Sequence, residues 1–301
     1  MRVEEMWIFL NDQFVEKEQA RISVFDHGFL YGDGVYETLR VYQGRIFLLE
    51  RHLARLRRSC DLIGLVSPVQ DDAWVSIMSE ILVRNGLEDA GLRLTISRGE
   101  GALGIDPGLC ARPTVVVMAK SFVPYPARMR ELGVRLQLVS VRRNPQSAQS
   151  PQIKSLSVLN NILAKQEAVQ AGAYDALMLN MDGHVTECTT SNVFFVVNQR
   201  LHTPSVACGI LEGITRDVVI ELARDLGIGV EEGAYAAEEV LQADECFMTN
   251  TGLEVMPVSQ IGERPIGQGK GGPVTMELWR AFQQNLDRFL GPCVTFPQTS
   301  I

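Results

Sequence analysis

Hydrophobic and polar residues alternate along this chain in two rhythms. Short period-two runs predict strands: 6–10 and 13–15 flank Asn11-Asp12 as an opening hairpin, and 35–42, 92–98 and 114–120 follow. Spacing of three and four predicts helices over 48–62, with Leu49, Leu53 and Leu56 on the core face, and over 70–85, ended by Gly86. The stretch 122–130 carries Pro124 and Pro126 and keeps neither rhythm, so it reads as part of an interdomain linker over 122–133. That division leaves a small N-terminal α/β domain, 1–121, and a larger C-terminal domain, 134–301.

Past the linker, 134–141 starts a second sheet. Leu156, Leu159, Ile162, Leu163 and Val169 recur at helical spacing up to the stop at Gly172, which predicts a helix that buries them. Runs at 176–181 and 184–187 flank Asp182-Gly183, a two-residue hairpin signal, and 192–197 (Asn-Val-Phe-Phe-Val-Val) is another β run. A helix entered at Gly213-Ile214-Thr215 and stopped at Gly227 has Val218, Val219, Leu222, Ala223 and Leu226 as its core face. Residues 248–254 read as strand–turn–strand, 262–273 as a long surface connection, and 273–290 as an outer amphipathic helix.

Composition narrows the partners. With 301 residues and 46% hydrophobic content, the chain can bury one large core or two smaller ones. Its 28 basic and 36 acidic residues leave a net charge of −8, which argues against nucleic acid and anionic membranes. Residues 1–5 (Met-Arg-Val-Glu-Glu) lack the apolar core of a signal peptide and no apolar run approaches membrane-spanning length, so a cytoplasmic protein is expected. The six cysteines form no C-x-x-C pair and the four histidines no metal-ligand spacing, which predicts reduced thiols and no structural metal.

Three places carry candidate chemistry. Lys154 follows Ile153 just before the amphipathic run. A lysine held by packing loses part of its preference for the charged form, and only a neutral amine attacks a carbonyl. Glu187 closes a strand before the small, hydroxyl-rich Cys188-Thr189-Thr190-Ser191. The segment 22–40, with Gly28, Gly32 and Gly34, reads as a tight turn feeding a strand; nucleotide-binding glycines instead open a helix, which excludes that reading.

A lysine before a helix, paired with a glutamate before a Thr/Ser/Asn turn, resembles the signature of the class IV (fold-type IV) pyridoxal-phosphate enzymes. That family holds branched-chain aminotransferases, D-amino-acid transaminases and aminodeoxychorismate lyases. The resemblance runs from about Trp7 to Phe282. It implies an α/β (α+β) fold of two domains, the larger built on a mixed β-sheet or barrel. It implies pyridoxal 5'-phosphate as cofactor, with Lys154 carrying it and acting as the catalytic base, and Glu187 facing its ring nitrogen. Arg55, in His-x-x-Arg-Leu, matches the family's phosphate arginine, and Ile214, Thr215 and Thr251 match its other phosphate anchors. A guanidinium fork suits a phosphate dianion.

The substrate side is read the same way. Tyr31 and Tyr36 match the aromatics lining the family's pocket, and the amides of Gly252 and Leu253 lie where a substrate carboxylate is taken. D-Amino-acid transaminases carry Arg-x-His in the loop that here reads Ala102-Leu103-Gly104, and the lyases an arginine there. Branched-chain aminotransferases place an arginine on the preceding strand, where Arg93 stands. Gly91, Val158-Leu159 and Tyr36-Glu37-Thr38 depart from their pattern. The resemblance thus implies an aminotransferase taking an α-amino acid, branched-chain or aliphatic and L, with a 2-oxo acid such as 2-oxoglutarate as acceptor. D-Amino-acid transaminase and aminodeoxychorismate lyase stand as alternatives, and a homodimer or higher homo-oligomer as the assembly.

Overall fold

A computed structural model describes residues 6–296; the acidic opening 1–5 lies outside the described residues. The chain divides into two compact units: Met1–Val123 with Ile153–Ser157 and Phe289–Ile301, and Pro124–Gln152 with Val158–Arg288. The short segment holding Lys154 thus groups with the N-terminal unit, apart from the chain on either side of it.

The first unit contains β1 (Trp7–Leu10), β2 (Gln13–Glu16), α1 (His27–Tyr31), β3 (Gly34–Tyr42), β4 (Arg45–Phe47), α2 (Leu49–Leu62), α3 (Asp71–Asn85), β5 (Ala90–Ser97) and β6 (Thr114–Ser121). A strand near the end of the chain, Leu290–Cys293, pairs with β4 and completes a seven-stranded sheet among the described residues. β3, β5 and β6 form its antiparallel centre, with Tyr36 opposite Thr95 and Thr38 opposite Arg93. One face of β3 turns Val35, Leu39 and Val41 into a core shared with Leu53 and Leu56 of α2 and Trp74, Met78 and Ile81 of α3. Glu37 lies on that same buried face. A carboxylate in such a position needs partners, because burying an unpaired charge costs far more than an unpaired polar group. The expected glycine turn before β3 contains instead the short helix α1. Asp26 caps it by accepting from the Gly28 amide, and Gly32 ends it at φ +71°.

The second unit adds α4 (Ala127–Leu132), β7 (Val134–Arg142), α5 (Leu159–Gln170), β8 (Asp175–Leu179), β9 (Val185–Cys188), β10 (Asn192–Val197), β11 (Arg200–Pro204), α6 (Ile214–Asp225), β12 (Val230–Gly233), α7 (Ala237–Leu241), β13 (Glu245–Asn250), β14 (Glu254–Ile261), β15 (Arg264–Pro265) and α8 (Pro273–Gln284). Its sheet runs β12-β11-β10-β13-β14-β7-β8-β9, with β15 on β14. The sheet is mixed: β7 lies parallel to both β14 and β8, while β10, β13 and β14 are antiparallel. It curls, so that β9 approaches β10 and β11. This is the mixed α/β architecture that the sequence leads one to expect.

Three expectations fail here. α5 packs on the sheet through Ala164 and Ala168, which join Val139, Ala176 and Met178 in a core of their own. Leu159, Ile162, Leu163 and Val169, expected to be buried, are exposed. Small alanines let the helix axis come close to the strands, and the bulky face is left outside. Leu226, expected on the core face of α6, is also exposed, because it sits at the helix C-cap beyond the last buried turn. The connection 262–273 is not wholly a surface loop, since β15 forms within it and Ile266 is buried.

Candidate active site

In the first unit, the peptide around Lys154 is laid along the start of β3. The Tyr36 amide donates to the Lys154 carbonyl (2.9 Å) and the Leu156 amide to the Gly34 carbonyl (2.9 Å). The Lys154 amide donates to Ser59 Oγ on α2 (3.1 Å). Gly34 permits this approach, since a Cβ there would lie 2.5 Å from the Ile96 carbonyl oxygen and 2.7 Å from Leu156 Cδ1. Lys154 is therefore held by β3 and α2, and not by the amphipathic helix that follows it in sequence. Its Nζ stands 4.5 Å from the centre of the Tyr36 ring. The Arg93 guanidinium lies 4.0 Å from the same ring centre and makes no hydrogen bond or ion pair among the described residues. One aromatic ring thus gathers an amine and a guanidinium.

Behind β3, Arg55 grips Glu37 with two donors, Nε to Oε1 (2.7 Å) and Nη2 to Oε2 (2.9 Å). His52 Nδ1 meets Glu37 Oε2 at 2.8 Å. Burial alone pushes the Glu37 carboxyl up, but the Arg55 charge and its hydrogen bonds, with those of His52, outweigh it and hold Glu37 well below the usual carboxylate range. At His52 burial prevails: helped by the Arg55 and Lys154 charges, it outweighs Glu37 and pushes the imidazole below its usual value. The short His52–Glu37 contact is therefore a neutral imidazole donating to a carboxylate. The His52 Nε2 is buried without a partner among the described residues. Tyr31, half exposed at the end of α1, stands edge-on to His27 at 4.9 Å, and its hydroxyl accepts from the Gly104 amide (3.1 Å).

In the second unit, Glu187 is buried on β9. Its Oε1 lies 2.9 Å from Arg143 Nη2. Its Oε2 accepts from the Leu211 amide (3.1 Å) and Asn192 Nδ2 (3.3 Å). The N-cap of α6 is Gly213, which supplies no side-chain acceptor, so the first N–H groups of the helix, Ile214 and Thr215 among them, stay available at the positive end of its dipole. A Cβ at Gly213 would lie 1.9 Å from Asn192 Oδ1, so a larger residue there must displace the Asn192 amide. The buried hydroxyls of Thr215 and Thr249 have no partner among the described residues. Thr251 lies in the turn between β13 and β14. The next two amides, Gly252 and Leu253, converge on one oxygen, Asn250 Oδ1, at 2.9 and 2.7 Å. Glu254, at φ +61°, holds this turn from behind through Arg130, Trp279 and Gln283.

The sequence reading missed Glu37, His52, Asn192, Asn250 and Arg143. Glu37 leaves a signal, a charge at a core-facing position of an alternating strand, and His52 is three residues from Arg55 on one helix. Arg143 leaves none.

Each unit by itself offers donors of the kind that the pyridoxal phosphate implied by the motifs requires. An amine beside an aromatic ring suits a carbonyl, a buried carboxylate with its charge compensated suits a basic ring nitrogen, and a guanidinium, an uncapped helix end and unpartnered threonine hydroxyls suit a phosphate.

Comparison with known proteins agrees. The family model for class IV amino-transferases matches residues 34–261. A putative branched-chain-amino-acid aminotransferase of Methanocaldococcus jannaschii is 42% identical over 278 residues, covering 92% of this chain and 96% of that protein. An aminodeoxychorismate lyase of Bacillus subtilis is 36% identical over 266 residues, covering 88% of this chain and 89% of that one. The solved structure of the T.th. branched-chain amino acid aminotransferase with pyridoxamine 5'-phosphate superimposes with a TM-score of 0.93 at 33% identity, over 98% of this chain and 100% of that one.

Proposed function

Since this chain belongs to the class IV aminotransferases and is a pyridoxal-phosphate-dependent transaminase, we propose that its amino donor is a branched-chain or other aliphatic L-amino acid. Its acceptor is a 2-oxo acid such as 2-oxoglutarate. The observation carrying this is Arg93, a guanidinium with no acidic partner among the described residues, stacked on the Tyr36 ring that also faces Lys154 Nζ. It offers a cationic end to a carboxylate, whereas the loop at Ala102-Leu103-Gly104 offers no charge.

When bound, pyridoxal phosphate withdraws electrons from the substrate Cα through its protonated ring. In this reading Lys154 Nζ carries the cofactor and, once released, removes the Cα proton as general base. Glu187 opposes the ring nitrogen and favours its protonated form. Arg55, the Ile214 and Thr215 end of α6, and Thr251 hold the phosphate and keep the ring from drifting. Tyr31 and Tyr36 line the substrate's seat. Gly252 and Leu253 take its α-carboxylate, whose oxygen replaces Asn250 Oδ1 on their two amides. We assign the enzyme as a homodimer or higher homo-oligomer, which the exposed Val24, Phe25, Phe29, Leu103 and Ile105 support as a group too apolar for solvent. We assign the enzyme to the cytoplasm; no helix among the described residues is long and apolar enough to cross a membrane.

The test is a half-reaction followed through the cofactor's visible absorbance. The enzyme is mixed separately with L-leucine, D-alanine and D-glutamate, without acceptor. Loss of the band with L-leucine alone is expected; loss only with the D-amino acids overturns the proposal. The lyase relative sets a second arm: pyruvate released from aminodeoxychorismate with no amino donor present, alongside silence with all three amino acids, replaces the proposal with a lyase.

A further inference from the structure

Glu187 is held from two sides, and the two sides differ in kind. Oε2 takes neutral donors, the Leu211 amide and Asn192 Nδ2; Oε1 takes the guanidinium of Arg143 at 2.9 Å. Arg143 stands just past the end of β7. Its own amide donates to the Leu179 carbonyl (2.8 Å) and its Nη1 to Asn161 Oδ1 (3.1 Å). Asn161, on α5, donates in turn to the Thr189 carbonyl (2.7 Å), two residues beyond Glu187. The residue is thus anchored at its backbone amide and at one guanidinium nitrogen besides the one that reaches the carboxylate. It is held there at a cost, since Nε is buried without a partner among the described residues. A cation placed in this way, with one donor sacrificed, points to a role for its charge.

We propose that Arg143 is a positioning residue for the reaction: it holds Glu187 as an oriented carboxylate, so that Glu187 can oppose the cofactor's ring nitrogen. This rests on the reading of Glu187 as the ring-nitrogen partner. The reason is chemical. A carboxylate taken out of water without a cation reverts to the neutral acid, and a neutral acid no longer favours a protonated ring. The other titratable groups nearby do not replace Arg143. The Cys188 thiol, next to Glu187 on β9, is pushed up by burial and by Asp175, Cys246 and Glu187, so it stays neutral. Lys165 of α5, the cation acting on Cys188, pairs with Asp175 (3.6 Å).

The experiment compares Arg143→Gln, Arg143→Lys and Glu187→Gln with the parent enzyme. Equilibrium binding of pyridoxal phosphate to the apoprotein is measured at pH 8 and pH 6, and the acid limb of the rate profile on the loaded enzyme. Arg143→Gln is expected to bind within about threefold of the parent at pH 8 and at least tenfold more weakly at pH 6, with the acid limb moved up by about one pH unit. Arg143→Lys, which keeps the charge, is expected to recover at least half of that shift. Equal losses at both pH values, no loss at either, or no recovery by lysine would overturn the proposal. If Arg143→Gln does not fold, Arg143→Lys decides alone, since an acid limb moved by a full unit despite the retained charge is incompatible with it. Glu187→Gln separates the two readings. If it alone leaves the profile and the binding unchanged, the assignment of Glu187 fails; if it changes both while Arg143→Gln changes neither, only the role of Arg143 fails.

Discussion

The buried set Glu37–His52–Arg55 should make stability depend on pH in two separable windows. His52 has no exposed surface, and burial pushes it below its ordinary value of 6.5. The unfolded chain therefore binds a proton that the folded one refuses. Stability is complete above about 6.5 and falls as the pH drops below it. A refused proton costs up to ~1.4 kcal/mol per pH unit, so between pH 7 and pH 5 the loss is bounded at ~2 kcal/mol. Glu37 is depressed from 4.5, so its contribution is complete above that value and is lost only at lower pH. The window from 7 to 5 belongs to His52. The perturbation is His52→Gln, whose amide can still donate to Glu37, with urea unfolding midpoints measured for both proteins every half pH unit. The variant is expected to start lower, by ~1 kcal/mol for a weakened hydrogen bond to a charged group, and to show a flatter profile by up to ~2 kcal/mol across the window. The other histidines are common to both proteins and cancel. Parallel profiles would refute the reasoning, because they mean that His52 titrates alike folded and unfolded.

Other substitutions probe the remaining geometry. Gly213→Ala drives a methyl into Asn192 Oδ1 at 1.9 Å, so it should cost ~1–3 kcal/mol in unfolding free energy and weaken pyridoxal-phosphate binding at least tenfold, read by equilibrium titration of the apoprotein. Asn250→Asp puts a charged oxygen on the amides of Gly252 and Leu253, where it competes with the substrate carboxylate; KM for the amino donor should rise about tenfold with kcat little changed. Glu37→Gln removes the buried carboxylate that Arg55 grips with two donors and should cost ~3–5 kcal/mol in chemical denaturation of the apoprotein.

Legibility in this sequence follows the range of the interaction that decides each feature. The strands of the first unit are read from period-two alternation because one face of β3 and β5 packs on α2 and α3, and that pattern lies in adjacent residues. Lys154 and Glu187 stand out for the same reason, since each is flanked by residues that mark a strand or helix boundary. α5 shows where such reading stops. Its sequence holds two candidate faces, the bulky Leu159, Ile162, Leu163 and Val169, and the small Ala164 and Ala168. Local hydrophobicity favours the first, but the sheet of β7 and β8 accepts the second, because only alanines allow the close approach. The choice belongs to the partner surface and is not written in the helix. Arg143 is hidden in the same way: nothing around it in sequence distinguishes it from Arg142, and only the pairing of β7 with β8, and of β8 with β9 beyond, brings it to Glu187. Glu37 is the instructive middle case. A glutamate on the buried side of an alternating strand requires a cation within reach, and α2 carries several arginines. Of these, Arg55 shares with His52 and Leu56 the face that packs under β3, while Arg57 and Arg58 are exposed. Strand alternation and helical spacing taken together therefore select the pair from sequence, where either one alone leaves Arg55 indistinguishable from its neighbours.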